Sequence, residues 1–199
     1  MRYLGLLSII VCAAQANGLA QVAPSPLASA ARAASPAGAT PGTIAASDTL
    51  SVGGVGVVRF GMTPAQAGAA GLPLAESVHA PNATCYFAHP AAPAGVTFMV
   101  RDGKIVRADL AAPADLKTVD GFKRGDVEGN IAGFYAGTKG GVSDFPLSSN
   151  SDVYLLASPE FSAGESVPRL VYELTDKAGV VRIHAGWVPR HFGGCPKGK

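Results

Sequence analysis

Hydrophobic and polar residues alternate in several short runs of the chain, and this period of two is typical of β-strands. In residues 95–110, GVTFMVRDGKIVRADL, two such runs flank Asp102-Gly103, a dipeptide that favours a two-residue hairpin turn. Residues 170–186, LVYELTDKAGVVRIHAG, have the same form with a longer turn at residues 176–179. One β-rich run precedes each hairpin, CYF at 85–87 and VYLL at 153–156. The pattern therefore predicts a strand followed by a hairpin, twice.

A helix-start signal precedes each of these two strand–hairpin runs. Thr63 is predicted to cap the first helix, with Pro64 at the first helical position and Gln66 where a capping box needs it. Asp126 is predicted to cap a second helix, which has an apolar face and ends at Gly137. Since one unit cannot bury its sheet face alone, the two units are expected to share a core.

The predicted fold class is α+β, with two tandem helix–strand–β-hairpin repeats packed as one antiparallel-sheet domain. Repeat 1 covers about residues 50–112 and repeat 2 about residues 117–188. The globular domain as a whole is predicted at residues 48–199, with residues 189–199 as a C-terminal tail.

The first residues have the form of an export signal. An apolar run ends in Ala14-Gln15-Ala16, an A-x-A cleavage site, so residues 1–16 are predicted to be a signal peptide. Cleavage after Ala20 is the alternative. Residues 17–47 consist mainly of Ala, Pro, Ser, Gly and Thr without a hydrophobic period, and are interpreted as a flexible tether.

Two of the three cysteines lie beyond the predicted signal peptide. Cys85 and Cys195 are predicted to form a disulfide, because an exported chain folds in an oxidising compartment and one pairing is available. Two free or metal-bound thiols are the alternative. Cys12 lies within the apolar run of the signal, where a lipid would turn the chain into a lipoprotein. The signal-peptide interpretation predicts a periplasmic or secreted bacterial protein.

Composition and motifs argue against several functional classes. The net charge is +2, and no basic cluster with interleaved aromatic residues occurs, so nucleic acid is not an expected partner. The sequence has no G-x-S-x-G elbow and no HExxH, and GGVGVV at residues 53–58 has the wrong spacing for a phosphate-binding loop. No catalytic, cofactor-binding or metal-binding residue is therefore predicted.

A few polar residues suggest chemistry that these motifs do not cover. His184, His191 and Cys195 could be imagined as zinc ligands, but their spacing matches no compact ligand pair. Glu173 could meet a second carboxylate in a glycosidase-like pair. Glu173 and Asp109 are expected instead on solvated faces of strands, because acidic residues are rarely buried.

Aromatic side chains on the strands are the remaining candidates for function. If the sheet leaves one face uncovered, aromatic residues on it would make a protein-binding platform, because aromatic anchors dominate interface energies. The candidate partner-binding residues are Tyr86, Phe87, Tyr154, Tyr172 and Trp187. About two thirds of the aromatic residues on strands are expected to fill the core instead.

Gly61-Met62-Thr63, followed by a short helix and a three-stranded meander, resembles the small α+β repeat of the β-lactamase-inhibitor-protein fold. Outer-membrane assembly lipoproteins of the BamE/SmpA type share this start. The chain also resembles exported proteins of proteobacteria that combine a signal, an Ala/Pro tether, this double repeat and a terminal Gly-Cys, here Gly194-Cys195. In repeat 2, Gly125-Asp126-Val127 replaces Gly-Met-Thr.

The resemblance implies protein recognition. The expected function is an exported, non-enzymatic protein-binding module, in its most concrete form a hydrolase inhibitor or an immunity-type protein. Its expected partner is another protein in the envelope or outside the cell. One alternative is an envelope-assembly accessory (lipo)protein, held at the membrane only through a lipid on Cys12. A second alternative is a carbohydrate-active enzyme without a recognisable motif.

Overall fold

The computed structural model describes residues 42–77, 82–138, 143–146, 153–158, 167–188 and 194–195, with the backbone alone at 143–146 and 153–158. The predictions for the signal peptide, Cys12 and His191 lie outside these residues, as does the tether up to residue 41. Residues 42–47 of the predicted tether are described, and Ile44 among them is buried in the hydrophobic core. Within the described part no helix has both the length and the apolar character needed to span a membrane.

Strands dominate the described part of the chain. In chain order, the strands are β1 (Thr49–Ser51), β2 (Gly54–Val55), β3 (Val58–Arg59), β4 (Leu74–Glu76), β5 (Cys85–Pro90), β6 (Val96–Arg101), β7 (Lys104–Leu110), β8 (Lys117–Thr118), β9 (Ser143–Pro146), β10 (Val153–Ser158), β11 (Arg169–Thr175) and β12 (Gly179–Gly186). The helices are α1 (Pro64–Ala69), between β3 and β4, and α2 (Glu128–Tyr135), between β8 and β9.

The large sheet has the strand order β4-β5-β6-β7-β12-β11-β10-β9, and every neighbouring pair is antiparallel. β6 and β7 form the hairpin predicted at Asp102-Gly103, and β11 and β12 form the second predicted hairpin, so both hairpin predictions are confirmed. The two hairpins meet where β7 pairs with β12, from Ile183 opposite Leu110 to Gly186 opposite Arg107. We call this pairing the seam.

The small sheet has the order β3-β2-β1-β8, and its strands β1 and β8 run parallel, with Leu50 opposite Thr118. This pair joins segments that the sequence assigned to different repeats. The predicted fold class of two tandem helix–strand–hairpin repeats is therefore wrong: the described part of the chain is mostly β, in two sheets, with two helices of six and eight residues. The small sheet escaped prediction because strands of two or three residues are too short to show an alternating pattern.

The hydrophobic core lies between one face of the large sheet, the small sheet and the two helices. Every second residue of β6 enters it, namely Val96, Phe98 and Val100, as alternation along a strand requires. The other elements contribute Leu50, Val58, Ala67, Ile105, Leu110, Ile131, Tyr172, Leu174 and Ile183.

Helix α1 begins with the predicted capping box. The Thr63 hydroxyl accepts a hydrogen bond from the backbone N–H of Gln66 at 3.1 Å, and the Gln66 side chain accepts one from the Thr63 N–H at 2.8 Å. The residues before the cap are bound to β7, because the N–H of Gly61 donates to the Ile105 carbonyl and the N–H of Ile105 donates to the Met62 carbonyl, both at 2.8 Å. These two backbone bonds fix the point at which the chain leaves its contact with β7 and α1 begins.

Helix α2 begins differently from the prediction. Its N-cap is Val127, which makes no side-chain capping bond, whereas the Asp126 carboxylate accepts a hydrogen bond from the Lys123 N–H at 2.7 Å. The Asp126 backbone carbonyl also accepts from the Val180 N–H at 2.9 Å. The prediction that Asp126 caps this helix is wrong, because the side chain closes the preceding turn while the backbone is held to β12.

The approach of this turn to the start of β12 depends on Gly179. Its φ is +62°, and a Cβ atom there would collide with the backbone carbonyl of Asp126. We expect Gly179→Ala to lower the free energy of unfolding by about 2–4 kcal/mol, because it adds a backbone collision to a left-handed conformation. The measurement is equilibrium denaturation in urea.

Gly103→Ala is the matched control, since Gly103 has a φ of +73° in the other hairpin turn but open space around a Cβ. It should cost only the conformational strain, about 1 kcal/mol. Equal losses for the two variants would show that the contact with Asp126 is unimportant.

Candidate functional site on the outer face of the large sheet

The face of the large sheet opposite the core, here called the outer face, carries polar side chains at its centre. Along β7, Ala108 and Leu110 enter the core, so Arg107 and Asp109 lie on the outer face. Along β12, Ile183 and Ala185 enter the core, which places His184 on the outer face. These polar residues flank the seam, where His184 stands directly opposite Asp109.

Two β-bulges put these side chains on the outer face. The register of β6 with β7 skips Val106, because Val100 pairs with Ile105 and Met99 pairs with Arg107. An extra residue reverses the inward and outward positions beyond it. Without the bulge, Arg107 would share the inward face of Ile105.

The register of β11 with β12 skips Val181 in the same way, so that Val180 points inward and His184 outward. The carbonyls of both bulge residues are bound by other parts of the chain. The Trp187 N–H donates to the Val106 carbonyl at 2.8 Å, and the Arg124 Nε donates to the Val181 carbonyl at 3.1 Å. Both bulges are therefore fixed in place by specific bonds.

Five side chains form a charged cluster on the outer face: Arg107, Asp109, Glu173, Arg182 and His184. The Asp109 carboxylate is held at two points by Arg107, whose Nε lies 2.8 Å from Oδ1 and whose Nη2 donates to Oδ2 at 2.9 Å. The same Oδ1 lies 2.7 Å from Nδ1 of His184. On the far side of the imidazole, Nε2 lies 3.4 Å from Oε2 of Glu173, which Arg182 approaches at 3.3 Å.

Four side chains of the charged cluster are largely shielded from solvent, with His184 3% exposed and Arg107 4% exposed, whereas the Arg182 side chain is 48% exposed. Burial alone would raise the pKa of Asp109, but the charges and hydrogen bonds of His184 and Arg107 outweigh it, so this pKa lies below its usual value. The hydrogen bond with His184, opposed by burial and helped by the charge of Arg182, lowers the pKa of Glu173.

Within the charged cluster each carboxylate is engaged by an arginine and by the imidazole, so these groups are committed to one another. The prediction of solvated positions for Asp109 and Glu173 is wrong, since their side chains are only 13% and 14% exposed. Buried charges of this kind need partners to be tolerated. The cluster therefore has a structural role and links β7, β12 and β11.

Beside the charged cluster the outer face becomes apolar. Cys85, Met99 and Cys195 are buried there, and Phe87, Val106 and Trp187 pack against them half-buried; we call these six residues the apolar patch. Cys85 and Cys195 are joined by a disulfide with a Cα–Cα distance of 5.3 Å, which is typical of such bridges. The bridge joins residues 194–195, which follow β12 in the chain, to β5, which lies three strands away from β12 in the large sheet.

Trp187 forms the edge of a small apolar pocket. The pocket has a volume of about 180 Å³, and its walls include Val52, Phe60, Ile105, Val106, Pro168 and Trp187. The guanidinium carbon of Arg101 lies 4.6 Å from the centre of the Trp187 ring, a cation–π arrangement, and the Arg101 side chain is 47% exposed. We call the pocket itself the Trp187 pocket.

The predicted partner-binding aromatic residues do not share one surface. Trp187 and Phe87 lie in the apolar patch, whereas Tyr86 packs against the core. Tyr172 is fully buried and its hydroxyl lies 3.0 Å from that of Tyr135, so the prediction is wrong for this residue. Burial raises the pKa of Tyr172 to about 12. The side chain of Tyr154 lies outside the described residues.

Of the three zinc ligands considered from the sequence, the structure describes His184 and Cys195, and both have other partners. The Cys195 sulfur is in the disulfide, and His184 belongs to the charged cluster. In the part of the chain that the structure describes, no three His, Cys, Asp or Glu side chains are placed to hold a metal ion.

Comparison of the chain with protein-family models, with curated proteins and with solved structures finds no match.

The lowered pKa of Asp109 makes a prediction about acid unfolding. A depressed pKa in the folded state contributes stability above the unfolded pKa of about 3.9, and this contribution is lost as the pH falls through the lower folded pKa. Asp109→Asn should cost about 3–5 kcal/mol at pH 7, because Arg107 and His184 lose their buried partner. It should also weaken the pH dependence of unfolding below about pH 5.

The control for Asp109→Asn is Asp115→Asn, which removes an exposed ion pair with Lys123, the Asp115 side chain being 72% exposed. This variant should change stability by no more than about 1 kcal/mol. Urea denaturation at several pH values measures both variants. Parallel pH profiles for wild type and Asp109→Asn would refute the assigned role of Asp109.

The disulfide makes a second prediction. The sequence separation of its cysteines is 110 residues, and on the chain-entropy argument closing such a loop contributes about 4–5 kcal/mol. Replacing both cysteines by Ala should lower the unfolding free energy by about that amount, and reducing the wild type should have a similar effect. If the oxidised wild type and the double variant unfold at the same urea concentration, the bridge does not stabilise the fold.

Proposed function

We propose that the chain is an exported, non-enzymatic protein-binding module that acts in the periplasm or outside the cell, and that the Trp187 pocket contacts its partner. Inhibition of a hydrolase, or immunity against one, is the most concrete form of this function, as the sequence resemblance implies. The mechanism would be steric, with the bound module covering the partner's cleft.

The observation that carries the proposal is the pair of Arg101 and Trp187 at an apolar pocket. Trp and Arg are among the residue types that most often dominate the energy of protein interfaces. Here the two side chains are in cation–π contact, with Arg101 half exposed and Trp187 held to β7 by its backbone bond to Val106. The pair is therefore ordered before a partner arrives, which reduces the entropic cost of binding.

The size of the pocket supports a protein partner over a small molecule. Sites for small ligands commonly have volumes of about 300–1,000 Å³. The Trp187 pocket, at about 180 Å³, is smaller and suits one side chain of a partner.

The charged cluster supports binding over catalysis. A general acid or base must reach a substrate. The imidazole of His184, in contrast, is shielded from solvent and lies between Asp109 and Glu173. The cluster thus holds the sheet that presents the Trp187 pocket.

The proposed location agrees with the chemistry of the cysteines. Structural disulfides persist in oxidising compartments such as the periplasm and are rare in the bacterial cytosol. The bridge between Cys85 and Cys195 therefore supports export, together with the signal-like residues 1–16.

Site-specific photo-crosslinking tests the proposed function. A photoreactive phenylalanine derivative is placed at Lys104, an exposed residue of β7 next to the pocket residue Ile105, in the exported full chain. We expect it to crosslink a protein of the native envelope or medium, and we expect Trp187→Ala to abolish the crosslinked product, because the anchor is lost.

The matched control carries the same derivative at Lys117, an exposed residue of β8 in the small sheet, and should give no such product. Arg101→Ala, at a half-exposed side chain, serves as a second variant in case Trp187→Ala disturbs folding, which circular dichroism would reveal. Crosslinking that is equal at both positions, or independent of Trp187 and Arg101, would rule out the Trp187 pocket as the binding site.

A further inference from the structure

Building on the proposed function, we propose that the partner segment inserts an apolar side chain into the Trp187 pocket and flanks it with carboxylates that pair with Arg101 and Lys104. The partner is thus a protein with an acidic, apolar-centred epitope. The inference concerns the chemistry of the partner and needs the binding site to be correct.

The residues that line the pocket determine which kind of side chain the centre of this epitope carries. The residues that line it are Val52, Phe60, Gly61, Ile105, Val106, Pro168, Gly186 and Trp187, and none of them carries a charge. A polar side chain placed there would lose its hydration without compensation. An aliphatic or aromatic side chain, in contrast, gains by leaving water.

Two cations of the β6–β7 hairpin, one of them in contact with Trp187, supply the charges beside that centre. Arg101 and Lys104 are a cross-strand pair at the tip of the β6–β7 hairpin, so both lie on the outer face with Trp187. Among the described residues, the carboxylate that approaches this pair within 4 Å is Asp102, which lies 3.8 Å from Arg101. Among the described residues, these two cations and one anion give the tip of the hairpin a net positive charge.

Arg101 is suited to hold a carboxylate of the partner while it remains in contact with Trp187. Its guanidinium carbon lies over the Trp187 ring, and the N–H donors of a guanidinium lie around the edge of its plane. Its contact with Asp102 is long, and the two side chains are 47% and 76% exposed, so water screens this pair strongly. A carboxylate of the partner that becomes desolvated in the interface would pair better.

Selection of peptides from a random library displayed on phage tests the inference, with the oxidised full chain as bait and the selected peptides as probes. Trp187 is the single tryptophan of the chain, so its fluorescence reports binding at the pocket directly. We expect the peptides that change this fluorescence to carry an apolar residue with Asp or Glu close on either side, and to bind more weakly as salt is raised.

Charge reversal supplies the decisive comparison. The double variant Arg101→Glu and Lys104→Glu should weaken these peptides at least about tenfold, because it places like charges at the contact. Lys117→Glu reverses an exposed cation of the small sheet and should leave the affinity unchanged. Urea denaturation of each variant verifies that the fold is retained.

The outcomes separate the inference from the proposed function. Peptides that need Trp187 but are neutral or basic, or that tolerate the double variant, would overturn the acidic epitope while the binding site stands. Self-association of the peptide-free chain that Trp187→Ala abolishes would identify a second copy as the occupant and overturn the inference. If no peptide perturbs Trp187 and no crosslink at Lys104 depends on it, both the function and the inference fail.

Discussion

The contact between Asp109 and His184 across the seam is the interaction on which the rest of the structure depends. Four residue pairs join the β6–β7 hairpin to the β11–β12 hairpin, and this is the one central junction between the two halves of the large sheet. At that junction the imidazole meets a carboxylate that Arg107 already orients. A buried polar contact of this kind is sensitive to register, because a slip of one residue would leave the charges unpaired. The seam therefore fixes the relation of the sheet halves, and with it the place of Trp187.

The local features of the fold were predictable from short stretches of sequence, whereas the pairing of distant strands was not. The turn at Asp102-Gly103 and the capping box of Thr63 and Gln66 depend on neighbouring residues only, and the structure has both. Asp126 has an equally good capping residue type, but its carboxylate bonds to Lys123 instead. That outcome depends on β12 holding the backbone of the same residue. The parallel pair of β1 and β8 likewise joins segments with no local signal for each other.

Only part of the candidate site could be predicted from the sequence, because the β-bulges decide which side chains lie on the outer face. Simple alternation counted from the turn at Gly103 places Arg107 on the same face as Ile105, whereas the bulge at Val106 sends it to the opposite face. The contact of Glu173 with His184 could not be predicted either, because it depends on the register in which β11 pairs with β12. Trp187 lies on the outer face and Tyr172 lies in the core. Residue type alone does not predict this difference, because it depends on which face of the sheet each position occupies.

The seam also has a consequence for the order of events during folding. Asp109 and His184 are separated by 75 positions in the chain, whereas each hairpin joins residues that are close in sequence. Closing a short loop loses less chain entropy than closing a long one, so local pairs form early and distant pairs late. The two hairpins should therefore act as early folding units, and their union at the seam should limit the rate at which the native sheet appears. Polar residues placed at this junction make the slowest step also the most selective one, since only the correct alignment neutralises them.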